Sequence, residues 1–495
     1  MKIYYVIIYY NMSVPSTVGL PAEFMTGAGS LDNSLPTDAK SYSVRIQPTN
    51  LSSIVSSTLT TSVSGAQDLA FPSQQLIFDL PCGSSPSSFL DHRFTTLSFR
   101  ATITATNTGT TTFTSCNLRS NANSFFDNMR VIGSSGNVLE EIPEYGVVND
   151  TLIALQLSNS DRDGLSTQYG FLSSQAIVSQ GHDCPILTFR TPTNLDVETH
   201  SYSVPVLSSV CGILADKCPN LGRTSRMQLV FQTSNVLPFT IITTNIGTST
   251  FTVSLSDFSL GLEYVDIGLS ALSMLDQTLV DGKSYIHGTT YRVATATVPA
   301  ATTGNQSSLI GIRASSVKSL LCRFQDGGVV SLANSVNGKY DSKNPSINSI
   351  AWSIGGIKFP QAPINPLLNP AMAMRETMLA IGSWNNSLYA SSITPINYCK
   401  VSAGGSVASV LNSSIESNYS SGTSAASQAQ FIFGVNTEIC MKRGLMSGYN
   451  ATAAPIFLEY NIATANTNSQ LIYGIAMIDS ILIHDIVSGD MQTRV

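Results

Sequence analysis

Three carboxylates stand close together at Glu140, Glu141 and Glu144. Glycoside hydrolysis uses this residue type in pairs, one as acid and one as base or nucleophile. Here the three precede a helical pattern, whose positive N-terminal end attracts acidic side chains, and that structural role explains them more simply. His182, Asp183 and Cys184 put a base, a carboxylate and a thiol side by side. Neighbours in a strand point to opposite faces, so the triplet fits a loop better than a catalytic unit. Asp161, Arg162, Asp163 and Gly164 open like a calcium loop but lack its later bidentate glutamate, which leaves a polar turn. Cys211 and Cys218 offer two metal ligands, with His200 as the one nearby addition. The other histidines (His92, His182, His287, His484) are scattered singly. Gly27, Ala28 and Gly29 lack the third glycine of a dinucleotide-binding turn, and no HExxH, GxxxxGK or GxSxG pattern occurs. The expectation is a chain with no catalytic residue, no cofactor and no metal.

The elements that would position such groups centre on residues 124–157. The stretch 129–132 reads as a strand, 133–136 as a tight turn, and 138–142 as a second strand. A helix follows, with Pro143 at its first position and Glu144 complementing its dipole. Tyr145, Val148, Leu152 and Leu155 recur at three- and four-residue steps, with Asn149, Asp150 and Gln156 on the opposite side. A second strand–turn–helix unit spans 350–384. Ile350, Trp352 and Ile354 alternate, Asn369 and Pro370 supply an N-cap and first helical residue, Met374, Met378 and Ile381 form an apolar face, and Gly382 ends it. One helix in each of two β-rich halves predicts a duplicated architecture.

Of 495 residues, 43% are apolar, enough for more than one sizeable core, and only 11% are charged. Few charges and many hydroxyls suit a surface largely covered by neighbouring subunits, because charges are costly to desolvate. A β-rich adhesin would share that composition. The net charge of −6, with no Lys/Arg cluster, argues against coating nucleic acid. Eight dispersed cysteines do not match a small disulfide scaffold and are read as free thiols. Residues 1–12 are apolar but too short to cross a bilayer, and they lack a cleavage site.

Residues 1–70 read as an N-terminal arm, Ser/Thr/Pro/Gly-rich with weak periodicity. From Phe71 the pattern changes. Leu97, Phe99, Ala101 and Ile103 alternate with Ser98, Arg100, Thr102 and Thr104, the signature of a strand with one face buried. Residues 158–185 and 387–428 lack such a pattern and read as loops. The order predicts an all-β protein: two tandem eight-stranded jelly-roll β-sandwiches (a double jelly roll), each with a flanking helix. The expected divisions are 71–270 for the first roll, 271–283 for a connector and 284–495 for the second roll.

The stretches QLIFDLP…FTTLSFRATITATN, SFFDNMRVIGSSGNVLEEIPEYGVVNDTL, SIAWSIGGIKFPQAPINP…AMRETMLAIG and FIFGVNTEIC…IFLEYNIATAN…LIYGIAMIDSILIHDIVSGD together resemble one family. It is the double jelly-roll major capsid proteins of tailless icosahedral DNA viruses, of the polinton-like virus and virophage type. In these proteins a strand pair leads to a Glu–Tyr-type helix, here Glu144 and Tyr145, and a step like Lys358–Phe359–Pro360 precedes a Glu-bearing helix, here with Glu376. The resemblance implies a homotrimer with six rolls in a pseudo-hexagonal capsomer, meeting neighbouring capsomers, penton and minor capsid proteins in the virion shell, without sequence-specific binding of nucleic acid. Glu144, Tyr145, Val148, Leu152, Met374, Glu376 and Met378 are the assembly-helix candidates. The alternatives are a sugar-binding or adhesive β-sandwich surface protein, and a glycoside hydrolase using the Glu140 cluster.

Overall fold

The computed structural model describes residues 39–61, 65–107, 114–118, 120–170, 186–189, 195–243, 249–326, 340, 342–382, 391–393, 398, 430–439, 446–466 and 468–495. The first half supplies strands β1 (Lys40–Ile46), β2 (Ser53–Val55), β3 (Leu59–Thr61), β4 (Gly65–Ala70), β5 (Gln75–Leu80), β6 (Ser88–Leu90), β7 (Thr96–Asn107), β8 (Thr114–Leu118), β9 (Phe126–Ile132), β10 (Val138–Pro143), β11 (Ile186–Phe189), β12 (Leu195–Pro205), β13 (Met227–Thr233), β14 (Val236–Thr243) and β15 (Ser249–Asp266). The second supplies β16 (Lys283–Val298), β17 (Gly304–Ile310), β18 (Val317–Asp326), β19 (Ile347–Ile354), β20 (Ile357–Ile364), β21 (Ile432–Asn436), β22 (Ile456–Ile462), β23 (Gln470–Asp485) and β24 (Asp490–Arg494). The helices are α1 (Tyr145–Gln156), α2 (Asn159–Tyr169), α3 (Leu269–Asp276) and α4 (Pro370–Ala380).

The first half is a sandwich of two four-strand paths. One sheet runs β1-β15-β7-β12, with β2, β3 and β6 also pairing β15. The facing layer is interrupted along its length into β10-β9-β13-β5 and β11-β8-β14-β4. The second half pairs β16-β23-β18-β21, extended by β24, with β17-β22-β19-β20. With the two interrupted pieces taken as one layer four strands wide, each half is built on eight strand positions, and the chain is a double jelly roll. Period-two alternation explains the layering: Leu97, Phe99, Ala101 and Ile103 of β7 are buried, whereas Arg100 between them is exposed. Phe99 packs against Phe125, Phe126, Tyr202 and Phe258 in the first core, and Trp352 and Phe324 are fully buried in the second.

Several expectations change. The part of the predicted arm from Lys40 to Ala70 is not irregular: β1 pairs with β15 over seven residues, and β4 with β14. Pro143 ends β10 instead of opening a helix, and Glu144 turns the corner in left-handed backbone (φ 52°) before α1 begins at Tyr145. Part of the predicted loop 158–185 is helix α2. Its start is a reciprocal cap, in which Ser158 Oγ donates to Asp161 Oδ2 (2.8 Å) and Asp161 N donates to Ser158 Oγ (3.1 Å). At α4, Pro370 is the first helical residue, but Asn369 makes no side-chain cap. The turn before it is held by Asn365 Oδ1, which accepts from Leu367 N and Leu368 N (3.0 Å each). Gly382, at φ 69°, ends the helix as its sequence position suggests. The candidate outer loop 387–428 lies mostly outside the described residues.

β15 finishes at Asp266, opposite Lys40 and Ser88, and β16 starts at Lys283, opposite Asp485. α3 joins these two ends, so both rolls share one end for their connection. Contacts then climb β16 in step with the first roll. Asp216 N donates to His287 O (3.0 Å), Thr289 N to Leu214 O (3.2 Å), and Val293 packs beside Val147 of α1. The rolls therefore lie side by side.

Candidate functional site

The residues singled out for chemistry do not converge. Glu140 is buried and holds Ser209 N (2.9 Å) and Ser208 Oγ (2.5 Å). Burial pushes its carboxyl above the usual range, against the pull of those donors. Glu141 faces outward and binds Arg130 Nε (2.8 Å), and Glu144 occupies the corner before α1. Glu140 and Glu141 both line the cleft between β10 and β16, but Glu140 is committed to Ser208 and Ser209 and Glu141 to Arg130. The Asp161 turn belongs to α2, which removes the calcium-loop geometry. Cys211 and Cys218 are buried free thiols, as is Cys322, and Cys82 is an exposed one. Burial pushes the Cys211 thiol up to about 12, leaving it inert as a nucleophile. No group of three metal-ligating side chains occurs among the described residues. The His182–Cys184 triplet lies outside the described residues.

What the chain does bring together is a polar seam between the rolls. α1 is buried on both sides because it is the wedge there. Its apolar face serves the first core, where Tyr145 packs edge-on to Phe231 and accepts a hydrogen bond from Leu207 N (3.0 Å) at its hydroxyl. Its polar face meets the second roll. Arg323 of β18, 2% exposed, reaches Asp150 Oδ2 (2.7 Å), Thr151 Oγ1 (3.0 Å) and Val147 O (3.3 Å) through Nη1, and Tyr340 O (2.9 Å) through Nη2. Asp150 also accepts from Ser120 Oγ (2.6 Å). Tyr340 in turn donates from its hydroxyl to Ser124 O (3.0 Å). Gly146 permits this approach, since a Cβ there would stand 2.7 Å from the Tyr340 hydroxyl and 2.9 Å from Ser124 Cα.

The seam continues in both directions. Asn137 Nδ2 donates to Met491 O (2.9 Å) and Thr493 Oγ1 to Leu139 O (2.5 Å), so β24 straps the edge of the first roll. On the other flank, Ser391 Oγ and Ser392 Oγ donate to Ala154 O at the end of α1 (2.8 and 3.1 Å). Met378, Ala380 and Ile381, from α4 and its C-terminal edge, join the first roll's core cluster together with Leu321 and Ile432. Thr377 donates to Ile432 O (3.1 Å) and accepts from Gly434 N (3.0 Å), fixing α4 to β21.

Of the assembly-helix candidates, Tyr145, Val148, Leu152 and Met378 are buried within the chain and Met374 is half-buried. Glu376 is held by Arg375 (2.9 Å). These side chains join helix to roll and roll to roll. The residues that sequence reasoning missed are Arg323 and Tyr340, which carry no local signal, because their partners lie some 170–220 positions upstream.

No family model and no curated protein matches the sequence. Among solved structures, a chain of the Sputnik virophage, determined by cryo-EM, is similar at a TM-score of 0.51 and 12% identity, over 98% of this chain and 93% of that one. The mavirus major capsid protein aligns at 0.45 and 8% identity over 98% and 93%, and the Faustovirus major capsid protein at 0.44 and 10% over 96% and 94%. At such identities the Sputnik likeness is one of fold.

Proposed function

We propose that this chain is a major capsid protein of a tailless icosahedral virus and that its activity is assembly. Three copies associate, their six rolls imitate a hexagon, and these capsomers tile a shell together with penton and minor capsid proteins. The observation that carries the reading is the pair of eight-stranded rolls fixed side by side by a buried seam, so that one chain behaves as two rigid, near-equal building blocks. Residues 71–270 and 284–495 serve as the two blocks and 271–283 as the link, with the strands of 40–70 added to the first block. An Arg–carboxylate fork and buried hydroxyls suit that task, because they fix the angle between blocks more narrowly than apolar packing alone.

The assembly role of the two helices is indirect. With Tyr145, Val148, Leu152 and Met378 consumed inside the chain, the large apolar side chains offered to a neighbour at α4 are Leu368, just before it, and Met372, both exposed. Low charge density over the remaining surface keeps the desolvation cost of wide contacts small; obligate interfaces of this kind bury roughly 2,000 Å² or more. The reading assigns no catalysis to the chain.

Light scattering on the purified protein tests it, with an expected mass of three times 52.7 kDa. Electron microscopy of the same sample should show hexagonal particles or shells. A stable monomer that binds glycans would overturn the reading in favour of the adhesive alternative.

A further inference from the structure

The two rolls repeat one plan, and the seam joins unlike parts of it. In each roll a first strand forms a sheet edge beside a long strand from the end of the roll, β1 along β15 and β16 along β23. Both edge strands begin with a lysine opposite an aspartate, Lys40 with Asp266 and Lys283 with Asp485. In each roll a hairpin also ends in an edge strand that leads towards a helix, β9–β10 before α1 and β19–β20 before α4. β1 and β16 are therefore counterparts, as are β10 and β20. The seam sets β10 of the first roll against β16 of the second, and it leaves their counterparts over. Leu139, Glu140 and Ile142 of β10 are buried, as are Ile286, Thr290 and Tyr291 of β16. No residue of β1 is buried, and of the eight in β20 only Ile364 is. Ile357 at the start of β20 and Leu368 just past its end are 50% and 62% exposed. A folded chain thus carries one finished junction and, one on each roll, the two unlike halves of a second.

We propose that β20 of one copy lies against β1 of the next, so that the contact between copies repeats the seam within each copy. This rests on the capsomer reading above and names the surfaces through which three copies close. Because the halves are unlike, a second β20 does not complete the first, and association runs head to tail. Three chains then hold six like junctions, and a turn of about 60° at each closes the ring. The contact sets edge beside edge and does not continue a sheet, since Pro360 and Pro363 take two N–H donors away from β20. The two junctions also differ in chemistry, as their order of formation requires. The face that the second roll turns to the first is apolar at Val293, Leu321 and Ile475. The corresponding outward face of β7 and β15 in the first roll carries Ser98, Thr102, Ser254 and Ser256, none of them fully buried. A seam closed as the chain folds can be apolar, whereas a surface that waits in water for another copy is better built of hydroxyls.

Light scattering on the unsubstituted protein comes first; a monomer at this step refutes the capsomer reading itself. Two full-length copies with different affinity tags are then co-expressed, both with Cys82→Ser, one with Ser43→Cys on β1 and the other with Gln361→Cys on β20, all exposed positions. Trimers treated with a flexible bis-maleimide should give a mixed-tag dimer band, mapped by mass spectrometry to positions 43 and 361 and lost when either cysteine is omitted. Arg45→Cys with Ala362→Cys is a second pair of exposed positions on the same two strands and should cross-link likewise, should the first pair fail to assemble. Ser43→Cys with Ser307→Cys, on β17 at the far edge of the β20 sheet, should give no such band. A trimer in which neither β1–β20 pair cross-links, or in which the β17 pair or two Gln361→Cys copies link as strongly, overturns the proposal.

Discussion

Replacing Arg323 with leucine removes the cation at the centre of the seam and is expected to cost about 3–5 kcal/mol, the range for breaking a buried pair by deleting one partner. The structure explains why the cost is high. The guanidinium makes four hydrogen bonds, to Asp150, Thr151, Val147 and Tyr340. Without it, Val147 O still accepts from Thr151 Oγ1 (2.7 Å) and Asp150 keeps Ser120 Oγ. The Tyr340 carbonyl loses this donor, at about 1–3 kcal/mol, and the Asp150 carboxylate, 13% exposed, loses its counter-ion. At roughly 2–4 °C per kcal/mol for domains of this size, the melting midpoint in scanning calorimetry should fall by about 6–20 °C. The double variant Arg323→Leu, Asp150→Leu should recover at least about 1 kcal/mol, because no unpaired charge remains buried. A drop below about 2 °C, or a double variant as impaired as the sum of the two single ones, would refute the claim that this fork holds the rolls together.

Acid should weaken the fold through two buried imidazoles. Burial holds His92 and His484 at about 4, so between the ordinary value near 6.5 and that point the unfolded chain takes up protons the folded chain refuses. Stability is therefore full above pH 6.5 and falls towards pH 4, by about 3 kcal/mol per histidine, and His484→Phe should flatten the melting-temperature slope between pH 6.5 and 5 by about half; an unchanged slope counts against it. Glu140 acts with the opposite sign. Its raised value means that its contribution is greatest at low pH and declines as pH rises through the folded-state value, so Glu140→Gln should be better tolerated at pH 8 than at pH 5 in paired melts. Gly146→Ala should destabilise by about 1–3 kcal/mol despite alanine's better helix propensity, since the added methyl meets Ser124 and Tyr340; a gain in urea midpoint would show that the approach is looser than described. Trp352→Ala, from the fully buried centre of the second core, should cost about 3–5 kcal/mol by calorimetry, and a loss under 1 kcal/mol would contradict its burial.

Strands such as β7 are legible because burying one face writes a period of two into the chain, while β19 around Trp352 alternates large and small residues although both of its faces are buried. β1 carries a weaker form of the same signal: Tyr42, Val44 and Ile46 alternate, but they are only half-buried and stand in a Ser-rich context. α2 was missed although its Ser158–Asp161 cap is written locally, because Leu165 and Tyr169 are the only apolar residues in a polar body. α1 is legible too, but the residues on its polar side, Asn149, Asp150 and Gln156, carry no sign of what covers them. Asn149 and Thr151 are buried there and Asp150 is nearly so, through residues that fold back from a separate sandwich, and no local pattern encodes such a cover. The same distance explains why Arg323 and Tyr340 looked unremarkable in the sequence. Pro143 satisfied the composition rule for a helix start equally well as the last residue of a strand.

The position of α1 has a consequence for synthesis on the ribosome. All strands of the first roll precede Asp266, so that roll can close before its partner has been made. Asp150, Glu140 and the strip around Val147 must then wait in water while the remaining chain emerges, which takes on the order of ten seconds or more at about 5–20 residues per second. That waiting surface is mixed: Asp150 and Glu140 are polar, and beside them lies the apolar ground that later receives Leu321, Met378 and Ile432. Apolar ground alone would accept the first half of another newborn copy equally well, and the Arg–Asp fork makes the correct partner, arriving later from the same chain, the one that fits.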